Sequence, residues 1–241
     1  MRILILGGTG EARELAGRLV ALGHQVITSL AGRTRAPALP AGELRVGKFG
    51  GVPGLVGYLK MMRIDRLVDA THPYAGLISI NAVAAARQTG IPLVRFMRPA
   101  WVEPEGAGWV HVRSLEAAAE ALPPMATVLI TTGHEGLETL LARDDCRLFV
   151  RLIEEPEIEL PDHARLLLGR PPYDLAQERS LFRREGITHL VTKNSGGEAT
   201  AAKLVAAREM GAQVIMVERP VYGPAVEVGS VEEAVGAVTA A

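Results

Sequence analysis

A single cysteine, Cys146, is all the thiol chemistry this chain of 241 residues carries. One cysteine makes no intramolecular disulfide and, with no second Cys, no thiolate zinc site, which fits a reducing cytoplasm. Aromatic residues are sparse at 4%, too few for a set of rings on which bases stack. Charge of one sign is missing as well: the formal net charge is −1, so no broad basic field faces a phosphate backbone. Nucleic acid is therefore not an expected partner. The first apolar run, Ile3–Leu6, is far shorter than a signal-peptide core or a membrane span, and no later run lasts long enough without charge. The expectation is a soluble, untargeted, cytoplasmic protein with no membrane partner. No HExxH, paired-Cys or carboxylate-cluster metal site is visible, nor a Ser nucleophile elbow. His24, His111, His163 and His189 lack ligand spacing and read as surface or core residues.

What is present is apolar material in alternating periods. Hydrophobic residues make up 48% and charged residues 22% of the chain, close to average globular usage, so a packed core is within reach. Ile3–Leu6 is a short strand-like run ended by glycines, and residues 11–22 then place Ala12, Leu15, Ala16, Leu19 and Val20 at helical spacing. The alternation continues with strands over 25–30, 66–70 and 92–96 and helices over 52–62 and 75–88. Strands alternating with helices imply a parallel sheet covered on both faces. Between Arg98 and Trp109 the periodicity stops and Pro99, Pro104, Gly106 and Gly108 cluster, which marks a connection. Beyond it the alternation restarts, with strands over 110–112, 127–131, 147–152, 165–168, 189–192 and 213–217. Helices are expected over 115–122, 135–142, 174–185, 198–209 and 231–238. The expected fold is α/β, in two doubly wound parallel-sheet domains, residues 1–98 and 99–241, with no short repeat.

Three strand-to-helix loops carry candidate chemistry. Gly7-Gly8-Thr9-Gly10-Glu11-Ala12-Arg13 follows the first strand. Its glycines let a phosphate approach N–H groups at the positive end of a helix. Gly8 and Gly10 fit the first two glycines of the dinucleotide fingerprint while Arg13 occupies the third, so the match is partial; the alternative is a plain tight turn. At the end of the second strand, Thr28-Ser29-Leu30-Ala31-Gly32-Arg33-Thr34-Arg35 has no carboxylate for a ribose 2′-hydroxyl. Ser29 and Arg33, helped by Arg35, suit a 2′-phosphate, so NADP is preferred over NAD, the alternative being solvated loop charges.

Asp69-Ala70-Thr71-His72-Pro73-Tyr74-Ala75 leaves another strand's carboxyl end, the edge where open α/β sheets bind ligands. Thr71, His72 and Tyr74 are expected to face cofactor or substrate, with His72 a proton donor near neutral pH or a cap and packing residue. The third loop, Thr192-Lys193-Asn194-Ser195-Gly196-Gly197-Glu198, joins a cation, small polar side chains and two glycines at an expected helix start. That design suits an anion, and it is not a Walker loop; a structural turn is the alternative. Thr132-Gly133-His134-Glu135 repeats it more weakly, and the arginines around Arg170 and Arg179 are further cations expected to line the same cleft.

Taken together, the loops at 7–13, 69–75 and 192–197 resemble the motif set of the precorrin-6A reductase family, in an order and over a length that span nearly the whole chain. The resemblance implies two Rossmann-like domains with an interdomain cleft where NADPH and a polycarboxylate tetrapyrrole meet, and strand exchange between domains in some members. It implies hydride transfer to a ring carbon of precorrin-6A, giving precorrin-6B, or the equivalent reduction of a cobalt-containing substrate. Gly8, Thr9, Gly10, Glu11, Ala12, Ser29, Arg33, Thr71 and His72 then fall to the cofactor. Lys193, Asn194, Ser195, Gly196 and Gly197 fall to the substrate carboxylates. His72, Tyr74 and solvent are the candidate proton donors. A reading of another class is a non-catalytic NADP-binding sensor, and the oligomeric state is not encoded in these features.

Overall fold

A computed structural model describes residues 1–32 and 39–240. The chain begins as strand β1 (Arg2–Leu6), helix α1 (Gly10–Ala21), β2 (Gln25–Leu30), β3 (Glu43–Val46), α2 (Gly51–Met61), β4 (Arg66–Asp69), α3 (Gly76–Thr89) and β5 (Leu93–Phe96). It goes on through β6 (Val110–Val112), α4 (Leu115–Glu120), β7 (Thr127–Ile130), α5 (Leu137–Leu141), β8 (Arg147–Leu152), β9 (Ala164–Leu168), α6 (Leu175–Glu185) and β10 (His189–Lys193). A 3-10 turn (Glu198–Thr200), α7 (Ala202–Glu209), β11 (Gln213–Val217), β12 (Val226–Val228) and α8 (Val231–Thr239) complete it. Two all-parallel sheets result, ordered β12-β5-β4-β1-β2-β3 and β6-β11-β10-β7-β8-β9.

In the first sheet the apolar run of β1 is buried on both faces, as a parallel strand between helices must be. Ile3 and Ile5 pack with Leu15 and Leu19 of α1 and with Val231, Ala234 and Val238 of α8. Leu4 and Leu6 pack on the other face with Leu55 and Leu59 of α2 and Ala82 and Ala85 of α3. Each such Leu or Ile is worth ~1.5–3 kcal/mol when fully buried. Helix α1 starts where Thr9, in extended backbone, caps the N–H of Ala12 with its hydroxyl at 3.0 Å.

The first compact unit is Met1–Pro99 with Pro220–Ala241, and the second is Ala100–Arg219. The structure thus differs from the expected 99–241 domain at its far end. After β11 the chain returns to the first sheet, where β12 pairs in parallel with β5, Glu227 level with Arg95, and α8 covers the face of α1. Strand exchange of the kind implied by the resemblance is what moves the boundary. The sequence reading does not include two strands, β3 and β12; both are short edge strands of mostly exposed residues, and their alternation runs over only four and three residues. The helix expected over 198–209 is interrupted: Gly197 sits at φ 83°, ψ 153°, a 3-10 turn follows, and α7 starts only at Ala202. The helix expected over 135–142 shrinks to five residues because Gly136 takes a left-handed conformation.

Arg95 fastens the returning strand. Its side chain is 1% exposed and lies 3.6 Å from the carboxylate of Asp69, which is 2% exposed. Its Nη1 donates to the Gly223 carbonyl and to Glu227, each at 3.0 Å. Removing one member of a buried pair strands the other charge. Arg95→Met is therefore expected to destabilise the protein by about 3 kcal/mol in urea unfolding, and adding Asp69→Asn to recover much of that loss. Equal stability of Arg95→Met and wild type would show that the pair does not hold the strand.

Candidate active site

In the first sheet the chain runs outward from β1 to β2 and β3 on one side, and from β4 to β5 and β12 on the other, so the strand order reverses between β1 and β4. Ligands of open α/β sheets bind outside the carboxyl ends at such a point. The loops that meet there are those containing Gly8 and Thr71. The Thr9 hydroxyl joins them, donating to the Ala70 carbonyl at 3.0 Å while it caps α1. Gly8 has φ 120°, and a Cβ placed on it would find nothing within 4 Å among the described residues. Gly10 is similarly open: among the described residues only the Arg13 guanidinium comes near its would-be Cβ, at 3.7 Å. Room and helix N–H donors therefore coincide, as a pyrophosphate requires. Ala12 serves the fold instead, since its N–H is taken by Thr9 and its side chain lies in the core.

Thr9, Glu11, Thr71, Pro73, Phe96 and Arg98 line a shallow hollow at this edge. Buried Asp69 holds Thr71, accepting from its hydroxyl at 2.7 Å and its N–H at 3.3 Å. His72 is exposed; its Nδ1 accepts from the Tyr74 N–H at 3.3 Å, which in the neutral ring leaves the proton on Nε2. Tyr222, from the returning segment, donates its phenol to the Pro73 carbonyl at 2.7 Å. Glu11 accepts from Arg98 Nη1 at 2.7 Å. Burial pushes the Glu11 carboxyl up, but its own N–H, Arg98 and Thr9 outweigh it and hold it below the ordinary value. Ser29 is buried and its Oγ accepts from Arg45 of β3 at 3.1 Å. Arg33 and Arg35 lie outside the described residues.

The second sheet has its own reversal, between β7 and β10. The loops at its carboxyl edge are Thr131–Gly136 and Asn194–Gly197. Gly133, Gly196 and Gly197 all have positive φ. Trp101 shapes the second loop: its N–H donates to Asn194 Oδ1 at 2.8 Å, its carbonyl accepts from Asn194 Nδ2 at 3.1 Å, and its indole donates to the Gly197 carbonyl at 3.0 Å. The Asn194 amide is thereby used inside the protein, and the backbone carbonyl of Asn194 accepts from Arg219 at 2.6 Å. Arg179 and Arg170, expected as further cations, are committed to Glu209 and Glu154 at 2.6 and 2.9 Å. The helix dipole expected behind Gly197 is displaced to Ala202.

The family model described as precorrin-6x reductase CbiJ/CobK matches residues 2–239. The chain belongs to that family. Precorrin-6A reductase of Rhodococcus erythropolis is 45% identical over 98% of this chain and 96% of its own. Cobalt-precorrin-6A reductase of Priestia megaterium is 31% identical over 90% of each chain. A solved structure titled CobK precorrin-6A reductase superposes with a TM-score of 0.91 at 40% identity, covering 98% of this chain and 95% of that one. The family is one of oxidoreductases acting on a CH–CH bond, and its two-sheet architecture is the one seen here. Arg45, Arg98, Trp101 and Tyr222 stand at these edges without any motif of their own, because each reaches its loop across the fold rather than along the chain.

Two outcomes follow from the first loop. Among the described residues a Cβ at Gly10 meets only the flexible Arg13 side chain, at ordinary contact distance, so Gly10→Val is expected to keep the wild-type melting temperature and lose nucleotide binding; normal binding would reduce the loop to a turn. The Glu11 carboxyl lies lower folded than unfolded, so its stabilising effect is fully present above the ordinary carboxylate range and is lost as pH falls through the lowered value. Arg98→Gln should therefore lower thermal stability at neutral pH and converge on wild type in acid.

Proposed function

We propose that this chain reduces precorrin-6A to precorrin-6B in cobalamin biosynthesis, with NADPH as the hydride donor. The observation that carries the reading is the family match over residues 2–239 joined to an open glycine loop at the strand-order reversal of the first sheet. The higher identity to the Rhodococcus relative than to the cobalt-precorrin enzyme favours the metal-free substrate.

Bound NADPH would supply the hydride, and one proton completes the addition of two hydrogens across a double bond of the macrocycle. The protein's own contribution is positioning and charge. Gly8, Thr9, Gly10 and Glu11 take the pyrophosphate side, with Ala12 closing the cap. Thr71, fixed by Asp69, and His72 flank the nicotinamide end. His72 Nε2–H and the Tyr74 phenol are the side-chain proton sources, solvent being the third. In the second unit, Lys193, Ser195 and the N–H groups of Gly196 and Gly197 receive acetate or propionate carboxylates of the substrate, and Asn194 sets the loop's shape. The expected setting is the cytoplasm; no helix among the described residues is long and apolar enough to cross a membrane.

Mixing the protein with NADPH and precorrin-6A should oxidise the cofactor and change the macrocycle spectrum together. Cofactor binding without turnover would sink the reading in favour of a sensor, and turnover of the cobalt substrate alone would reassign the enzyme. Lys193→Ala is expected to raise KM for the tetrapyrrole and leave the Kd of NADPH unchanged. The reverse pattern would move this loop to the cofactor.

A further inference from the structure

Resting on the dinucleotide reading of the first unit, a further site emerges at the other end of that ligand. In folds of this kind the adenosine ribose lies past the end of the second strand, where NAD-binding chains keep a carboxylate. Here β2 ends in Ser29 and Leu30, and the neighbouring strand supplies a cation. Arg45 is the register partner of Ser29, one residue before the end of β3. Its Nη1 donates to Ser29 Oγ at 3.1 Å and to the Gly47 carbonyl at 2.5 Å, and its Nη2 to the Lys48 carbonyl at 3.0 Å. The guanidinium stacks 3.7 Å above the Phe49 ring, with Tyr58 behind at 5.1 Å.

The corner that wraps this guanidinium is built for it. Gly47, Gly50 and Gly51 have positive φ. A Cβ on Gly54 would lie 1.7 Å from the Phe49 carbonyl oxygen, so only glycine lets Phe49 press against the first turn of α2. Yet no carboxylate among the described residues forms an ion pair with Arg45; its partners are carbonyls, a hydroxyl and rings. The bonds above use three of its N–H groups, leaving about two of the five a guanidinium carries. Ser29, accepting from Arg45, has its own O–H to donate. A half-buried, fixed, uncompensated cation beside an oriented hydroxyl is a receptor for a dianionic phosphomonoester.

We propose that Arg45, acting with Ser29, reads the 2′-phosphate of the adenosine ribose, so that the choice of NADPH over NADH is made by β3 and not by the arginines after β2. The probes are NADPH against NADH and, free of any nicotinamide or macrocycle contribution, 2′,5′-ADP against 5′-AMP, by calorimetry on the intact protein. Arg45→Ala is expected to weaken NADPH and 2′,5′-ADP roughly 10- to 100-fold while NADH and 5′-AMP change by less than about threefold, the scale of lost hydrogen bonds to a charged group. Arg45→Lys should restore part of the preference, since it returns charge without the planar fork. If Arg45→Ala does not fold, Ser29→Ala reads the same site, and an unchanged preference there overturns the proposal. An NADPH-to-NADH ratio that survives Arg45→Ala, or that falls only in Arg33→Ala, also overturns it. A wild-type protein that binds neither NADPH nor 2′,5′-ADP would instead overturn the dinucleotide reading itself, and this one with it.

Discussion

The buried pair of Asp69 and Arg95 is the constraint on which the first unit turns. Charges taken out of water gain stability only when their other bonds are supplied. Here Asp69 is supplied by Thr71 and Arg95 by Gly223 and Glu227. Among the described residues, Oδ2 of Asp69 and Nε and Nη2 of Arg95 nevertheless find no hydrogen-bond partner. A hydrophobic substitute would avoid that cost, so the pair is better understood as fixing geometry than as adding stability. It sets the register of β12 against β5 and, through Asp69, the first residue of the loop that carries His72. The same returning segment reaches that loop a second time, through Tyr222 on the Pro73 carbonyl. One cluster thus ties the expected nicotinamide end of the site to residues more than a hundred positions away in sequence.

Both sheets reverse strand order once, and in each the reversal brings together two strand-end loops. Their construction differs. In the first, Thr9 binds the two loops directly and the glycines leave open volume in front of a well-capped helix. In the second, the loop after β10 is held from outside by Trp101, and successive left-handed glycines break the run into α7. Open volume before a helix favours a diphosphate. A loop whose N–H groups are turned by positive φ, next to Lys193, suits an anion. The proposed division of labour between a dinucleotide and a macrocycle edged with acids rests on that difference in construction.

Much of this was legible in sequence because the decisive features are local. Strand runs such as Ile3–Leu6, glycines at strand ends and the helical spacing of α1 need only neighbours to be read, and those elements lie where the periods put them. The Gly8, Thr71 and Lys193 loops share that legibility, each leaving a strand's carboxyl end. What escaped is non-local or too short and exposed to stand out. In β3 the apolar Leu44 and Val46 are exposed at a sheet edge, so no burial pattern announces the strand, and Arg45 between them looks like an ordinary surface cation. The glycine spacing around Phe49 was its one signal. The three-residue β12 is recognisable only from its partner β5, although Ser230 and Glu233 cap the following helix in a pattern that sequence does display. Asn194 looked like a ligand residue because nothing in its vicinity reveals Trp101.

The returning segment also has a consequence for how the first unit acquires its function. Ile3, Ile5, Val94 and Phe96 share their core with Val231, Ala234 and Val238 of α8, so residues 1–99 alone leave that face of the sheet without one of its two helices. Contacts of such sequence separation can form only once a long loop has closed. The glycine loop and its helix α1 are made early in the chain, but α1 packs between β1 and α8 and is completed only when the last residues arrive. The proposed nucleotide binding would therefore be linked to closure by the C-terminal segment: a ligand that requires the finished α1 N-terminus stabilises the returned β12 and α8 by the same free energy with which their return strengthens its binding.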